Sequence, residues 1–471
     1  MIEDLRDFID EMDKRGQLKK VDGADCETEI GAITEVVADR DGPALLFDNI
    51  KDYPKGYRVL SYACSEIGQR IGFGLDEKQS PFEIVRKWKD QWNEFKPLPP
   101  VEVQSGPVME NVLTGDDVNI LKFPAPKWHE KDGGRYIGTG VVTITKDPDE
   151  GWINVGTYRV MVHDEKTVGF YISPGKHGRV MREKYWDRGE SCPVVMCFGE
   201  EILLFGLSTL RLPWGWSELD VAGHMRGKPI EIIRGEVTGL PIPAKAEIVI
   251  EGFAPPPSVE VRHEGPFGEW TGYYASGSRP EPVVHVKAIY HRDNPILLGQ
   301  PPIKNRDTFP IPLQSAATLW NKLESAGMTG IKGVYFHGAG GRPLGVVSIK
   351  QQYLGHAKEV AHASASLFTG GALAGKWIIV VDDDIDPSNL EDVLWAVYTR
   401  CDPEMSIDIV RGFLTSPLDP SLRPEKRNSG DITTAKIIMN ACRPYHWKNE
   451  FPQVSRCSDD LRKKVSEKFG L

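Results

Sequence analysis

The stretch Val283-Val284-His285-Val286-Lys287-Ala288-Ile289-Tyr290 is rich in β-branched residues and places polar residues at alternate positions near its centre. Residues 141–145 and 246–250 have similar patterns. A period of two with β-branched side chains is typical of strands. Between residues 138 and 291 many such segments are separated by Gly and Pro, which favours a barrel or sandwich over a doubly wound sheet. We therefore expect the central third of the chain to be mostly β.

The chain after residue 310 alternates between helical and strand patterns. Helices are predicted at residues 315–326, 356–368 and 390–400, and strands at 333–336, 345–349 and 376–381. This alternation predicts an α/β domain. The tail beyond Pro417 is rich in proline, serine and charge until a final helix near residues 459–469. Such a terminal helix often packs on a neighbouring subunit or domain.

The chain before residue 100 predicts a second α/β region. Apolar residues at helical spacing predict a first helix over residues 5–12 that ends near Gly16. Residues 42–50 read as a short buried strand, and Pro81 begins another helix. A proline cluster ends that helix and suggests a domain boundary between residues 100 and 125. A chain of 471 residues exceeds one hydrophobic core, so we expect two or three domains.

Composition restricts the classes of partner and compartment. The net charge is -10, and no run of lysine and arginine builds a surface for nucleic acid. The N-terminus is charged from its third residue, and no apolar run approaches the ~20 residues that cross a bilayer. The seven cysteines form no C-x-x-C pair, which argues against a zinc ribbon or a disulfide framework. We expect a soluble, cytoplasmic protein with reduced thiols.

Two glutamates stand on either side of a Gly-Pro-x-Gly turn in the segment of residues 262–274. Glu264 and Glu269 could face one cavity because the glycines permit unusual backbone angles. If both carboxylates are desolvated, one is pushed toward its protonated form and can transfer a proton near neutral pH. The alternative is a solvated turn, and composition alone favours that alternative.

A second group of residues suggests a metal site. Asn154, His177 and Glu218 are suitable ligands for manganese or magnesium that carries phosphate oxygens. Their spacing matches no known zinc pattern, and a lone histidine beside glycine is more often a loop residue than a ligand. The spacing alone therefore gives only a weak signal.

Two further segments resemble ligand sites. Residues 380–386 run from a strand into an acidic cluster, which could bind a divalent ion but more often caps the following helix. Residues 338–345 are glycine-rich like a phosphate cradle. They lack the Lys-Ser/Thr of a P-loop and precede a strand, so a plain loop is the better interpretation.

Together these motifs resemble one family, the UbiD-type decarboxylases that use prenylated FMN. The resemblance rests on Asn154 with Arg159, on Lys176-His177, on Glu218 and on the E-G-P-x-G-E motif of residues 264–269, and it extends over most of the chain. It implies an α+β multidomain fold. In that fold a central split β-barrel of the flavin-binding type (116–308) lies between an N-terminal α/β domain (1–115) and a C-terminal α/β oligomerisation domain with a terminal helix (309–471).

The resemblance also implies roles for individual residues. Asn154, His177 and Glu218 match the ligands of a divalent metal, usually Mn²⁺ and alternatively Mg²⁺, that ties the flavin phosphate to the protein. Arg159, Glu264 and Glu269 match the catalytic residues, and Arg159 also matches a cofactor contact. Further cofactor contacts are expected at Lys176, where some members have glutamine, at Ser208 and Thr209 near a K⁺ ion, and at Lys358 near the phosphate.

The expected reaction is non-oxidative decarboxylation of an aromatic, heteroaromatic or α,β-unsaturated acid, in either direction. Arg159 would orient the substrate carboxylate, Glu269 would protonate carbon, and Trp270 would wall the substrate pocket or pack in a core. A flavin prenyltransferase would supply the cofactor, and the chain would form a homodimer or hexamer. The alternatives are a subunit of a multi-subunit carboxylase and a split-barrel flavin oxidoreductase, although no G-x-G-x-x-G follows a strand.

Overall fold

The structure is a computed structural model and describes residues 2–304, 311–338, 342–368 and 373–470. The fold is mixed α+β, and the strands of these residues form several separate sheets. None of the helices within these ranges is long and apolar enough to cross a membrane.

The N-terminal region alternates helices with short strands. Asp4 caps the first helix by accepting the Asp7 N–H, and this helix buries Leu5, Phe8, Ile9 and Met12, as the sequence predicts. Ser80 and Glu83 form a capping box at the helix that Pro81 begins. The elements are α1 (Leu5–Lys14), β1 (Leu18–Asp22), α2 (Glu29–Ala38), β2 (Ala44–Asp48), β3 (Arg58–Ser61), α3 (Glu66–Gly72) and α4 (Pro81–Asn93).

The central region is mostly β, as predicted, with three helices inserted between its strands. The elements are β4 (Val101–Glu102), β5 (Asn111–Thr114), β6 (Tyr136–Gly138), β7 (Val141–Lys146), β8 (Ile153–Gly156), β9 (Val160–Asp164), β10 (Thr167–Gly169), α5 (His177–Asp187), β11 (Cys192–Phe198), α6 (Ile202–Ser208), α7 (Glu218–Arg226), β12 (Glu231–Arg234), β13 (Pro241–Pro243), β14 (Ile248–Ala254), β15 (Val261–Glu264), β16 (Arg279–His291) and β17 (Ile296–Gly299). Short 3-10 turns occur at Pro107–Glu110, Gly115–Asp117 and Ile120–Lys122.

A large antiparallel sheet organises this region, with the order β6-β9-β10-β16-β14-β11-β7-β8. The long strand β16 contains the predicted 283–290 stretch and pairs in addition with β15 and β5. Both faces of the sheet are covered. In β11, for example, Val194, Met196 and Phe198 belong to one hydrophobic core, whereas Val195 and Cys197 belong to another.

The N-terminal sheet takes its last strand from the end of the central region. Its order is β1-β2-β3-β17, and β17 runs parallel to β3 with Leu298 opposite Leu60. The N-terminal sheet is therefore completed by residues that lie well beyond the predicted boundary at residue 115.

The C-terminal region is α/β, as predicted, with the sheet order β18-β19-β20-β22-β21. The predicted tail is wrong in one respect, because a strand follows Pro417 and pairs with both β20 and β21. The elements are α8 (Ile311–Ser325), β18 (Ile331–His337), β19 (Leu344–Ile349), α9 (His356–Leu367), β20 (Trp377–Asp382), α10 (Leu390–Arg400), α11 (Pro403–Ser406), β21 (Ile407–Leu414), α12 (Pro424–Ser429), β22 (Thr433–Ala441), a 3-10 turn (Tyr445–Trp447) and α13 (Asp459–Phe469).

The sequence of β22 does not indicate a buried strand, because a polar residue occupies one of its buried positions. Lys436 is 2% exposed, and its ammonium donates to the carbonyls of Ala365 at 2.7 Å and Phe368 at 2.9 Å. Hydrogen bonds of this kind let a charged residue occupy a buried strand. The terminal helix α13 is present as predicted and buries none of its residues against this chain. Its packing on another subunit stays a prediction.

Candidate active site

Arg159, Glu264 and Glu269 form one buried ion-pair cluster. Arg159 directly precedes β9, and its Nε and Nη2 atoms donate to the two carboxylate oxygens of Glu264, both at 2.8 Å. Its Nη1 atom donates to Oε1 of Glu269. The three side chains are 10%, 2% and 9% exposed. The two glutamates thus share one buried guanidinium and do not form the solvated turn that composition alone favoured.

The loop between the two glutamates is fixed by the backbone of residues 132–133. Glu264 ends β15, where it lies opposite Arg279 of β16. The carbonyl of Pro266 accepts the Gly133 N–H at 2.8 Å, and the Gly268 N–H donates to the Asp132 carboxylate at 3.0 Å. A Cβ atom at Gly133 would lie 2.1 Å from the Gly265 oxygen, so this approach requires glycine.

Tyr136 extends the cluster, and no sequence pattern indicates it. Its hydroxyl donates to Oε1 of Glu264 at 2.9 Å, and its ring lies 4.5 Å from that of Phe267. Burial, followed by the charge of Glu264, raises the pKa of Tyr136, so the phenol stays a hydrogen-bond donor. Tyr136 lies in a three-residue strand, which is too short to carry a recognisable motif.

Burial and pairing act in opposite directions on the charges of the cluster. Burial raises the pKa of Glu269 above its ordinary value, although the charge of Arg159 opposes this effect. Burial also works against the charge of Arg159, but the hydrogen bonds to Glu264 and the charge of Glu269 outweigh it and raise the pKa of Arg159. The cluster therefore combines a permanent cation with one carboxyl that is easier to protonate than an ordinary glutamate.

Aromatic rings enclose the guanidinium of Arg159. The ring centroids of Tyr171 and Phe267 lie 4.6 and 5.1 Å from its central carbon. Trp270, the predicted pocket wall, is partly buried and has the guanidinium of Arg342 at 5.9 Å from its ring centroid. Arg342 lies two residues before the C-terminal strand β19, so the C-terminal region contacts this side of the loop. A role for Trp270 in the substrate pocket stays a prediction.

The predicted metal ligands lie on neighbouring elements of the central region. Asn154 of β8 and Glu218 at the start of α7 are 2% and 3% exposed, and Glu218 accepts the Val155 N–H at 2.7 Å. His177 begins α5, and its ring lies 5.6 Å from that of Trp152 and 5.2 Å from that of Trp214, which also contact each other. Burial raises the pKa of Glu218 to about 8, so a nearby cation would favour its charged form.

The fit of these residues to a metal rests on their donor types. In the described ranges no group of three or more His, Cys, Asp or Glu side chains is arranged to hold a metal ion. Asn154 is an amide, however, and an amide oxygen, an imidazole and a carboxylate make an acceptable mixed set for a hard divalent ion. The hydroxyl of Ser217, next to Glu218, is also buried without a hydrogen-bond partner.

Three cations meet beside the predicted metal ligands. Burial, followed by the charges of Arg342 and Arg211, lowers the pKa of Lys176 to about 7. Burial, followed by the charge of Arg211, lowers the pKa of Arg342 to about 10, and burial lowers the pKa of Arg211. A cluster of like charges in a partly desolvated position is suited to an anion such as phosphate.

The remaining predicted cofactor contacts differ in their surroundings. Ser208 and Thr209 are buried at the end of α6, where their hydroxyls donate to the carbonyls of Phe205 and Gly206, both at 2.6 Å. Their oxygens keep lone pairs for a cation. Lys358, on α9, instead pairs with Asp408 at 3.2 Å and is half exposed, and its contact with the cofactor phosphate stays a prediction.

The acidic segment 380–386 forms ion pairs within the protein, and the glycine-rich segment 338–345 leads into a strand. Asp384 binds Arg400 through two contacts of 2.8 Å, and Asp382 binds Arg443 at 2.9 Å. Asn389, rather than an aspartate, caps α10. In the glycine-rich segment 338–345, residues 339–341 lie outside the described residues, and the segment leads into the strand β19.

Comparison with known proteins assigns most of the chain to one family. Residues 9–88, 100–304 and 311–441 match the N-terminal, Rift-related and C-terminal domains of the 3-octaprenyl-4-hydroxybenzoate carboxy-lyase, or UbiD, family. The chain is 31% identical to pyrrole-2-carboxylic acid decarboxylase of Pseudomonas aeruginosa, over 99% of this chain and 97% of that protein.

Solved structures give the same result. The vanillic acid decarboxylase of Sedimentibacter hydroxybenzoicus in its open form matches with a TM-score of 0.85 and 27% identity, over 100% of both chains. An evolved dimeric form of the UbiD-class enzyme HmfF from Pelotomaculum thermopropionicum, in complex with prenylated FMN, matches with a TM-score of 0.81 and 25% identity, over 98% of both chains. The fold and the buried cluster thus define an enzyme of the carboxy-lyase class. The chain belongs to the UbiD family of decarboxylases.

Proposed function

We propose that this chain catalyses the non-oxidative, reversible decarboxylation of an aromatic, heteroaromatic or α,β-unsaturated carboxylic acid with prenylated FMN. The observation that carries the proposal is the buried cluster in which Arg159 binds both Glu264 and Glu269. Similarity to a pyrrole-2-carboxylic acid decarboxylase and to a structure with prenylated FMN supports the substrate class and the cofactor.

Arg159 binds and orients the substrate carboxylate. A guanidinium has five N–H groups in a planar fork, and the contacts to Glu264 and Glu269 use three of them. The N–H groups that remain are one on each terminal nitrogen, which suits a carboxylate. Glu264 and the rings of Tyr171 and Phe267 hold the fork in place.

Glu269 supplies the proton that replaces CO2 on carbon. Burial raises its pKa, which makes the protonated form that a general acid requires more accessible than in an ordinary glutamate. Its hydrogen bond to Arg159 keeps the carboxyl beside the bound substrate. Tyr136 and Glu264 act on Arg159 as positioning residues, because the hydroxyl of Tyr136 holds the carboxylate that holds the guanidinium.

The cofactor site uses the residues beside the cluster. Prenylated FMN, when bound, supplies the electron sink for the carbanion-like centre that loss of CO2 leaves, which side chains provide poorly. Asn154, His177 and Glu218 would hold Mn²⁺ or Mg²⁺ against its phosphate. Lys176 and Lys358 would bind the same phosphate, and Ser208 and Thr209 would contact a K⁺ ion.

The chain also assembles with copies of itself and works in the cytoplasm. The central sheet acts as a flavin-binding split barrel, and the exposed helix α13 packs across a homodimer or hexamer. The cysteines are all free thiols, as in a reducing compartment such as the cytoplasm. A flavin prenyltransferase supplies the cofactor.

The test combines cofactor identity with a variant of the proposed acid. Protein co-expressed with a flavin prenyltransferase should release a flavin with the mass of FMN plus one prenyl group and should release CO2 from aromatic acids. Glu269→Gln should keep the cofactor and lose turnover by at least about 100-fold, whereas Glu260→Gln, on the partly exposed pair with His285, should leave turnover unchanged. Full activity of Glu269→Gln would refute its role.

Two other functions predict different results. Plain FMN in the co-expressed protein, with a nicotinamide-dependent redox activity, would favour a split-barrel oxidoreductase. Prenylated FMN without turnover in the purified chain, restored by further subunits, would favour a member of a multi-subunit carboxylase.

A further inference from the structure

A cavity of about 470 Å³ lies between the N-terminal and central regions. Its walls include Lys51, Tyr53 and Tyr57 from the N-terminal region and Leu121, Lys122 and Arg135 from the central region. None of the Arg159 cluster lines it. Its size lies in the range of pockets that hold small organic ligands, which is about 300–1,000 Å³.

The acidic side chains of this cavity are largely committed to other partners. Asp25 accepts the backbone N–H groups of Glu27 at 2.9 Å and Thr28 at 3.3 Å. Glu27 pairs with the guanidinium of Arg135 at 3.0 Å. Asp52 is exposed at the rim. Asp25 and Glu27 thus have hydrogen-bond partners other than the two lysines.

The lysines provide the uncommitted charge. Within the described ranges neither Lys51 nor Lys122 forms an ion pair within 4 Å. Burial acts to raise the pKa of Asp25, but backbone hydrogen bonds and then the charge of Lys51 lower it below its ordinary value. Both side chains belong to exposed residues that can move toward a ligand. Two lysines on opposite walls of one cavity favour an anionic ligand.

The remaining walls favour a planar ring. Tyr57 is held by ring contacts to Phe123 at 5.9 Å and His291 at 6.2 Å, and Tyr53 is held by the bond of its hydroxyl to Arg135 at 3.0 Å. Leu121 adds an apolar surface that is 45% exposed. Fixed aromatic walls bind flat rings at a low cost in side-chain entropy.

We propose that this cavity binds a small molecule with one planar ring and one anionic group, in which the ring lies against Tyr53, Tyr57 and Leu121 and the anion meets Lys51 and Lys122. An aromatic carboxylate and a nucleoside monophosphate share this chemistry. The site is separate from the proposed catalytic centre and does not depend on its function.

Calorimetric titration of the full-length chain tests the site. The protein carries Arg159→Ala, which removes the proposed carboxylate contact of the catalytic centre, and the probes are 4-hydroxybenzoate, adenosine 5′-monophosphate and inorganic phosphate. We expect at least one ring-bearing probe to bind at least about tenfold more tightly than phosphate, and the ratio of the two ring probes identifies the source of the ligand. Adding Lys51→Ala and Lys122→Ala should weaken that binding by about tenfold or more.

Two further variants separate a local effect from a general one. Lys19→Ala with Lys87→Ala removes two exposed lysines elsewhere and should leave binding unchanged. Leu121→Asp places a carboxylate on the apolar wall and should abolish binding while the thermal unfolding midpoint stays within a few degrees. Absence of ring-probe binding, equal binding of phosphate, or binding that survives the Lys51 and Lys122 changes would overturn the proposal.

Discussion

Replacement of Arg159 by lysine tests whether the shape of the guanidinium, rather than its charge alone, supports decarboxylation. The substitution keeps one positive charge in the cluster. It removes the planar fork that now spans Glu264 through two nitrogens and Glu269 through a third. A lysine ammonium is a single point with three rotating donors, so it cannot bind both carboxylates and a substrate in the same geometry.

The contacts set the size of the expected effect. Loss of one hydrogen bond to a charged group costs about 1.5–3 kcal/mol, which corresponds to a factor of roughly 10–150 in rate or binding. The lysine variant loses at least one such bond to the substrate and leaves a buried carboxylate, Glu264 or Glu269, poorly paired. We therefore expect kcat/KM for the best aromatic acid to fall by about 100-fold or more.

The assay measures CO2 release together with the flavin bound per chain. Flavin content should stay near the wild-type value, because the proposed phosphate and metal contacts lie at Asn154 and its neighbours. Arg262→Lys is the matched control, since Arg262 pairs with Asp164 and Glu260 where all three side chains are about one-third exposed, and such pairs contribute about 0–1 kcal/mol. The reasoning fails if Arg159→Lys keeps more than about a third of wild-type kcat/KM. It also fails if flavin is lost in parallel with activity, because the fall in kcat/KM would then follow from loss of the cofactor and not from loss of the substrate contact.

Three further substitutions have expected results. Tyr136→Phe removes the 2.9 Å hydrogen bond to Glu264, and kcat/KM should fall by about 5–100-fold because a buried carboxylate loses a donor worth about 1–3 kcal/mol; an unchanged value would remove Tyr136 from the site. Glu218→Gln should lower bound Mn²⁺, measured by mass spectrometry of the metal, to below about a tenth per chain, and a stoichiometric metal content would exclude Glu218 as a ligand. Burial raises the pKa of Glu200 from 4.5 to about 8, so the folded state binds this proton more tightly and the contribution of Glu200 to stability is lost as pH rises from 4.5 to 8. Glu200→Gln should therefore raise the unfolding midpoint near pH 9 and leave it little changed near pH 5, whereas Glu94→Gln, at an exposed residue, should leave it little changed at both pH values.

The sequence predicts those elements whose burial has a local pattern. Strand β16 has alternating and β-branched residues, and helix α10 has the predicted bounds of residues 390–400. Strand β22 was missed because its buried Lys436 is satisfied by carbonyls that lie about 70 residues earlier in the chain. The pairing of β17 with β3 likewise joins residues 296–299 to 58–61, and no short-range pattern encodes so distant a partner.

The Arg159 cluster depends even more on contacts between residues that are distant in the chain. The glycine turn alone suggests that Glu264 and Glu269 could face one cavity, although composition favours a solvated turn. The guanidinium between them comes from more than 100 residues earlier. Strand order closes this distance, because β9, which follows Arg159, pairs with β10, β10 pairs with β16, and β16 pairs with β15, which ends at Glu264. Arginine and glutamate usually lie on the surface, but here the three side chains are buried, and their charges therefore interact strongly. The acidic pair could be suspected from its glycine turn, whereas its partner required either the sheet register or a resemblance to known relatives.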